Sequence, residues 1–238
     1  MLISHKHKFI TIDIPKTGTR SLRESLVPLG VIDEFGAPNL NAEFYQHDGA
    51  IRTKKQFVKN GWNWNEYFKF TIVRNPWVRY FSFFKYFKQK SERYRDSKLM
   101  GEYLNSKSNV WENSGLYQNW INQEINDCKQ FFNLFSSSKD DQTVLRNIIL
   151  NNNSQDSYYC DESGKIIVDH IAEFDNLQNE FVLLCNKVDI ETPKLQHENK
   201  SSNSQNMHDI YNQELIDLVA EKERGVIKLK GYDYITQT

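Results

Sequence analysis

The clearest indication of fold class in this chain lies near its amino terminus, in Phe9-Ile10-Thr11-Ile12-Asp13-Ile14-Pro15-Lys16-Thr17-Gly18-Thr19-Arg20-Ser21. Its first half is a short apolar run of β-favouring residues, and Pro15 stops this run. A turn that contains glycine follows, and the pattern then predicts a helix over residues 21–26. The order strand, loop, helix is the first half of a parallel strand crossover.

The same order recurs further along the chain. The run Phe68-Lys69-Phe70-Thr71-Ile72-Val73 predicts a second strand, which Arg74-Asn75-Pro76 stops. An aromatic-rich helix is predicted over residues 77–90. Two strand-to-helix units predict an α/β fold, with a central parallel sheet flanked by helices.

The remaining sequence carries weaker patterns and no convincing linker, so we expect one domain over residues 1–238. The aromatic cluster around Trp62, Trp64, Tyr67 and Phe68 indicates core packing. The other predicted elements are a helix at 50–59, helical pieces from 92 to 153 with breaks at 136–138 and 151–154, a hairpin at 157–169 around residues 162–164, a helix through 181–184, and a helix that Asn212 caps and Gly225 ends.

Composition excludes several classes of protein. In 238 residues, 30 Lys and Arg face 31 Asp and Glu, so the net charge of -1 provides no field that would attract nucleic acid or an anionic membrane surface. The three cysteines form no Cys-x-x-Cys pair, which argues against a disulfide framework and a zinc site. No stretch reaches the ~20 apolar residues of a membrane span, and no signal peptide is recognised. We expect a cytoplasmic location.

The loop between the first strand and its helix is the first candidate binding site. Backbone N–H groups at the helix start, the hydroxyls of Thr17, Thr19 and Ser21, and the Lys16 ammonium can together form a cradle for a phosphate-like anion. The alternative is an ordinary polar loop. The position between a hydrophobic strand and a helix favours anion binding.

This loop differs from a nucleotide-kinase loop. In that motif the lysine follows the last glycine, and a neighbouring strand ends in an acid that binds metal. Here Lys16 precedes Gly18, and the second strand ends in Arg74. A cation therefore stands where a magnesium ligand would be expected, and we expect no metal cofactor.

Arg74 and Ser82 form the second candidate site. An arginine at the carboxyl end of a strand and a serine on the next helix can converge on a second phosphate, because ligands of open α/β sheets bind at that edge. The alternative is that Arg74 pairs with a carboxylate and Ser82 is only a small helical residue.

Together the two motifs resemble those of sulfotransferases that use 3′-phosphoadenosine 5′-phosphosulfate (PAPS). Their 5′-phosphosulfate loop is similar to Ile14-Pro15-Lys16-Thr17-Gly18-Thr19-Arg20-Ser21-Leu22. Their 3′-phosphate motif is similar to residues 68–82. The group that includes heparan sulfate 2-O-sulfotransferase and its bacterial relatives is the most similar. Two later stretches, residues 164–177 and 195–201, also resemble landmarks of that group.

The resemblance implies a P-loop-NTPase-like sulfotransferase fold and the transfer of a sulfuryl group from PAPS to a hydroxyl, with PAP as the product and a carbohydrate as the expected acceptor. It also implies that the 5′ end of the donor is held by Lys16, Thr17, Gly18, Thr19, Arg20 and Ser21. Arg74 and Ser82 would hold its 3′-phosphate. The sulfuryl group carries less charge than a γ-phosphate, so Lys and Arg can replace a metal.

The chain departs from the family pattern at two places. Arg20 stands where these loops more often have Thr or Ser, which affects the expected phosphosulfate contacts. Glu173 replaces the arginine of an Arg-Phe-Glu element, and Asp175 replaces its glutamate. No role is therefore carried over to Glu173 or Asp175.

An attacking hydroxyl must lose its proton, and histidine is a suitable base near neutral pH. Of the six histidines, His47 is the preferred candidate, because it lies between the two motifs as the base of the resembled family does. The alternative is a loop residue beside Asp48, itself a possible helix N-cap. His197 is the second candidate. His5 and His7 are expected to be solvated in a leading tail, and His170 to be packed.

Two other functions remain open from the sequence. One is a P-loop kinase or nucleotide hydrolase, which would need magnesium and ATP. The other is a module that binds PAPS or PAP without catalysis. Two basic helix faces, Arg52 with Lys54 and Lys55, and Lys85 with Lys88 and Lys90, can meet an acidic glycan, but a solvated helix surface is the preferred explanation of both.

Overall fold

The sheet contains more strands than the sequence predicts. The computed structural model describes residues 1–37, 42–111, 117–195 and 206–234. Among them, five strands form one sheet in the order β3-β1-β2-β4-β5. They are β1 (Leu2–Ser4), β2 (Phe9–Ile12), β3 (Glu34–Phe35), β4 (Phe68–Val73) and β5 (His170–Glu173).

Strands β2 and β4 are parallel, as predicted, and β5 continues the parallel arrangement beside β4. Strand β1 runs antiparallel to both β2 and β3. The register pairs Ile12 with Thr71 and Val73 with Glu173. The carboxyl ends of β2, β4 and β5 therefore meet at one edge, where α/β sheets bind their ligands.

Helices make up most of the remaining chain. Three of them follow strands of the sheet directly or after a short loop, which confirms the predicted mixed α/β fold with helices beside a central sheet. In the described part of the chain the helices are α1 (Thr19–Leu26), α2 (Ala50–Lys59), α3 (Pro76–Arg95), α4 (Ser97–Trp111), α5 (Tyr117–Ser137), α6 (Asp141–Asn151), α7 (Asp156–Tyr159), α8 (Leu177–Lys187), α9 (Gln213–Lys222) and α10 (Arg224–Lys230).

The described residues fall into two compact units. Those of the first lie within residues 1–79, 153–200 and 219–235, and those of the second within residues 80–152 and 201–218. The first unit contains the whole sheet, and the second is helical. The single domain expected from the sequence stays a prediction.

In the first unit, α1 and α8 bury their apolar residues against the sheet. Alternate residues of β4 point to this face, so Phe70 and Ile72 are both fully buried. The cluster comprises Leu2, Phe9, Leu22, Leu26, Phe70, Ile72, Ala172, Phe181, Leu184, Cys185, Val188, Ile190 and Leu195.

In the second unit, α3 and α5 pack through aromatic rings and a buried cation. The Phe87 and Phe131 rings stack with centroids 3.9 Å apart. Lys90 is 3 % exposed and its Nζ lies 3.0 Å from Glu124 and 3.1 Å from Asp127. Burial alone would lower the pKa of Lys90, but Tyr86 and these two carboxylates outweigh burial and raise the pKa above its usual value.

The amino-terminal segment is not the solvated tail expected from the sequence. It forms β1, and Leu2 pairs with Thr11 across the sheet. His5 donates or accepts a 2.7 Å hydrogen bond with the Tyr67 hydroxyl and packs edge-on against Trp62. His7 contacts the Val188 carbonyl at 3.1 Å. The expectation that both histidines are solvated is therefore wrong. The sequence does not reveal β1, because a strand of three residues is too short to show periodicity.

The structure corrects two further local predictions. Only the turn and a single bridge, Cys160 to Ile166, remain of the predicted hairpin, because its first arm is the helix α7. Gly225 does not end a helix: it is the second residue of α10. A Cβ at this position would overlap the Asp156 carboxylate, so close packing explains the glycine. Asn212 does cap α9, since its Oδ1 accepts from the Leu215 N–H at 2.9 Å.

Candidate active site

The loop between β2 and α1 has the geometry of an anion cradle. Its Thr17 side chain is buried and donates its hydroxyl hydrogen to the Ile14 carbonyl at 2.8 Å, which folds the loop back on its strand. Lys16 and Gly18 both have positive φ angles, 71° and 85°. Gly18 is the N-cap of α1 and has no side chain to occupy the first N–H groups of the helix. These N–H groups can therefore face an anion.

Gly18 is required at its position for two separate reasons. A Cβ added there would lie 2.6 Å from Cε2 of the Phe174 ring, and the left-handed φ disfavours any other residue. We expect Gly18→Ala to lower the free energy of unfolding by about 1–3 kcal/mol, measured by denaturant titration. Gly30→Ala is the matched control, because Gly30 has a φ of +66° and nothing within 4 Å of an added Cβ. Equal losses of unfolding free energy in both variants would show that the overlap of the added Cβ with the Phe174 ring does not destabilise the protein.

Arg74 lies at the end of β4, next to this loop. Its Nη1 donates to the Lys16 carbonyl at 3.3 Å, and its guanidinium carbon lies 4.2 Å from the centre of the Phe174 ring. Its Nε is buried and has no hydrogen-bond partner among the described residues. Burial lowers the pKa of Arg74 below its usual value, and Asp175 opposes this shift. A partly desolvated cation with an unused donor is suited to an anionic ligand.

A buried side-chain network supports both elements. The Gln155 side chain accepts from the Arg74 N–H and donates to the Arg74 carbonyl, each at 2.9 Å. Arg79 is fully buried, and its Nε donates to the Pro15 carbonyl at 3.1 Å. Both residues contact Glu223, which is itself fully buried. Buried hydrogen bonds therefore fix the main chain at Pro15, before the loop, and at Arg74, after β4.

His47 is fixed in one tautomer. Its Nδ1 lies 2.9 Å from the Asp13 carbonyl, directly after β2. A carbonyl only accepts, so Nδ1 carries the hydrogen and Nε2 has a free lone pair. No partner of Nε2 occurs among the described residues. Burial lowers the pKa of His47 from 6.5 to about 4, with the Asp13 carbonyl opposing the shift. The imidazole is therefore neutral at pH 7 and can accept a proton at Nε2.

The turn before α2 holds this histidine. Asp48 is buried, and its carboxylate accepts from the Tyr45 N–H at 2.9 Å and pairs with Arg52 at 2.9 Å. The N-cap of α2 is Gly49, so Asp48 is not the helix cap that the sequence allows. Burial raises the pKa of Asp48, while its contacts with Tyr45 and Arg52 oppose the shift.

Comparison with known families agrees with this geometry. A model of the sulfotransferase family matches residues 1–228. The chain belongs to the sulfotransferase family. No curated protein and no solved structure matches it. This sulfotransferase therefore transfers a sulfuryl group.

The remaining predicted donor-binding residues of the sulfotransferase lie on α1 and α3. Thr19 is half-buried and Ser21 is buried in the first turn of α1. Arg20 is exposed and its Nε lies 3.4 Å from Glu24, one turn further along. Ser82 is half-buried on α3 and belongs to the second unit, so its part in the site stays a prediction.

His170 and His197 are the other histidines that bear on the choice of base in the sulfotransferase. His170 is packed, as expected: its Nε2 lies 2.7 Å from Glu180, and its ring stacks on Phe70. His197 lies outside the described residues. The prediction that it is the second candidate therefore stays open to experiment.

Phe174 is one residue of the candidate site that the sequence does not predict. Its ring lies against both Gly18 and Arg74. The strand register explains its position. Val73 of β4 pairs with Glu173 of β5, so Arg74 and Phe174 follow neighbouring parallel strands side by side. Recognising β5 as a strand would have placed this ring at the ligand edge.

The described residues offer neither a cluster of metal ligands nor a membrane-spanning helix. No group of three or more His, Cys, Asp and Glu side chains there is placed to hold a metal ion. In the same part of the chain, no helix has the length and apolar character needed to cross a membrane. The cytoplasmic location of the sulfotransferase stays a prediction.

The pH behaviour of the sulfotransferase should follow from the His47 environment. We expect its imidazole to titrate near pH 4, well below 6.5, when followed by NMR with a His47→Gln variant for assignment. Between these values the unfolded chain binds a proton at this residue and the native protein does not. Stability is therefore lost as the pH falls from 6.5 to about 4, by up to about 3 kcal/mol from this group. A titration midpoint near 6.5 would contradict the burial of His47.

Proposed function

We propose that the chain transfers the sulfuryl group of PAPS to a hydroxyl of a carbohydrate, with His47 as the base. The observation that carries the proposal is the contact between the Arg74 guanidinium and the Lys16 carbonyl at 3.3 Å. It brings two cation-bearing elements, from different parts of the sequence, to one edge of the sheet. A doubly phosphorylated adenosine offers one anionic group to each of them.

The donor would bind at both elements. The N–H groups at the start of α1, with Lys16, Thr19 and Ser21, would receive the 5′-phosphosulfate. The Thr17 hydroxyl hydrogen is used by the Ile14 carbonyl, so Thr17 contributes through its backbone N–H and through loop shape. Arg74, together with Ser82, would bind the 3′-phosphate, and the buried Nε of Arg74 would gain a partner.

The chemistry is a single in-line displacement at sulfur. The acceptor oxygen forms a bond to sulfur as the bond between sulfur and the bridging phosphate oxygen breaks. The electron pair of that bond remains on the phosphate of PAP, where Lys16 stabilises the new charge. The hydroxyl proton passes to Nε2 of His47, the nitrogen that the Asp13 contact leaves unprotonated.

Carbohydrate is the proposed acceptor class because the two motifs resemble those of carbohydrate sulfotransferases. The structure adds one constraint on the acidic-glycan faces named above. Arg52 is paired with Asp48 and also donates to the Ala42 carbonyl, so it serves the turn before α2. Lys54 and Lys55 are the exposed members of that face.

Calorimetric titration with PAP, AMP and ATP tests the donor. PAP differs from AMP only by its 3′-phosphate, so the proposal expects PAP to bind about 10- to 100-fold more tightly, without magnesium. Tight binding of ATP that requires magnesium would instead indicate a kinase or nucleotide hydrolase.

A screen with ³⁵S-labelled PAPS across glycans, proteins and lipids then tests the acceptor. Transfer to a glycan hydroxyl is the expected result. PAP binding without transfer to any acceptor would indicate a non-catalytic binding module. Transfer only to protein or lipid would contradict the proposed acceptor class.

A further inference from the structure

Glu223 is a buried carboxylate that no step above uses. It follows α9 directly, and its side chain is fully buried. One carboxylate oxygen accepts from Nη1 of Arg79 at 2.9 Å, and the other accepts from the Gln155 N–H at 3.0 Å. A buried charge of this kind is costly unless it is well paired, so the position is specified by these contacts.

The Arg79 branch ends on the phosphosulfate loop. The Arg79 guanidinium donates through Nε to the Pro15 carbonyl at 3.1 Å, immediately before Lys16. Its Nη atoms donate to the Asn153 carbonyl at 3.2 and 3.3 Å. Because the guanidinium is planar, these bonds fix its orientation and with it the start of the loop.

The Gln155 branch ends on Arg74. The Gln155 amide accepts from the Arg74 N–H and donates to the Arg74 carbonyl, as a neighbouring strand would. Its Nε2 also lies 3.5 Å from Glu223. Gln155 thus extends the hydrogen bonding of β4 by one residue and fixes where the Arg74 side chain leaves the main chain.

We propose that Glu223 is a positioning residue that sets the separation between the loop and Arg74, acting through Arg79 and Gln155. The inference rests on the proposed function, since this separation matters only if one nucleotide bridges both elements. Stability alone does not explain the arrangement, because well-packed apolar residues often replace a buried ion pair without loss. Each branch instead ends on the main chain of one anion-binding element.

The test separates positioning from stability. In the double variant Arg79→Met/Glu223→Leu the ion pair is replaced by apolar side chains of similar size. In Gln155→Met the neutral link to Arg74 is removed while the ion pair is kept. For each variant, the dissociation constants of PAP and AMP are measured by calorimetry, and the fold is checked by circular dichroism and thermal unfolding.

We expect the preference for PAP over AMP to fall by about 10-fold in both variants, because a misplacement of about 1 Å is enough for an effect of this size. The control is Lys90→Met/Glu124→Leu, which removes a buried ion pair from the second unit and should keep the preference. A purely structural role would lower the unfolding temperature and leave the preference unchanged in the folded protein.

The outcomes distinguish the two proposals. If the unmodified protein does not prefer PAP to AMP, the proposed function fails and this inference fails with it. If the unmodified protein prefers PAP and the folded variants keep that preference, only the positioning role is overturned. If the double variant does not fold, Gln155→Met still tests the branch that ends on Arg74, because it keeps the Arg79–Glu223 ion pair. An unchanged preference for PAP in that variant would overturn the proposed path through Gln155.

Discussion

Turnover is expected to fall by about 10²- to 10⁴-fold when His47 is replaced by alanine, while the affinity for PAP stays close to that of the unchanged protein. The reason is geometric. The Asp13 carbonyl holds the hydrogen of His47 on Nδ1, so Nε2 is an available base, and alanine removes it. Sulfate transfer to the acceptor found in the screen gives the rate, and calorimetry gives the PAP affinity.

Two variants sharpen this test of His47. His47→Gln keeps a side-chain amide that can donate to the Asp13 carbonyl but provides no base, so it should be as inactive as the alanine variant. His7→Ala is the matched control, because His7 also contacts a backbone carbonyl through Nδ1, at Val188, and lies before β2. Full turnover in His47→Ala would assign the base elsewhere, with His197 as the next residue to replace.

Replacing Arg74 with alanine should instead weaken PAP binding by about 10- to 100-fold, because a hydrogen-bonded contact with a charged group is worth roughly 1.5–3 kcal/mol. The affinity for AMP should fall much less, since AMP lacks the 3′-phosphate. Calorimetric titration of both nucleotides gives the two changes directly.

A graded series separates charge from geometry at Arg74. Arg74→Lys keeps a cation but loses the planar donor group that lies over the Phe174 ring, so its PAP affinity should be intermediate. Arg146→Ala is the control, because Arg146 is half-exposed and pairs only loosely with Glu214 at 3.2 Å. Equal losses of PAP and AMP affinity in Arg74→Ala would contradict a contact with the 3′-phosphate.

The parts of the fold that the sequence predicts well are those with a strong local signal. The run at residues 68–73 is apolar and ends at an Asn-Pro pair, and β4 has these bounds in the structure. The helix predicted at 50–59 is α2. Strands β1, β3 and β5 are not predicted, because two to four residues carry too little periodicity, and β5 shows no clear alternation of burial.

The candidate site likewise contains residues that a local sequence pattern predicts and residues that it does not. The loop and Arg74 lie within motifs that can be recognised from adjacent residues, and the parallel strands bring them together. Gln155 and Glu223 lie 81 and 149 residues from Arg74 in the sequence, and their roles depend on tertiary packing alone. No local pattern marks either residue as a neighbour of the candidate site.

The two outer strands have a consequence for how the protein behaves at high concentration. Strand β3 has two residues and β5 has four, so either side of the sheet offers few free backbone groups. The Lys230 ammonium also donates to the Ile171 carbonyl at 2.7 Å within β5. Long, flat outer strands are the usual template for intermolecular β-pairing, and short or covered ones suppress it. This sheet should therefore resist aggregation by strand addition even though most residues of its inner strands are apolar.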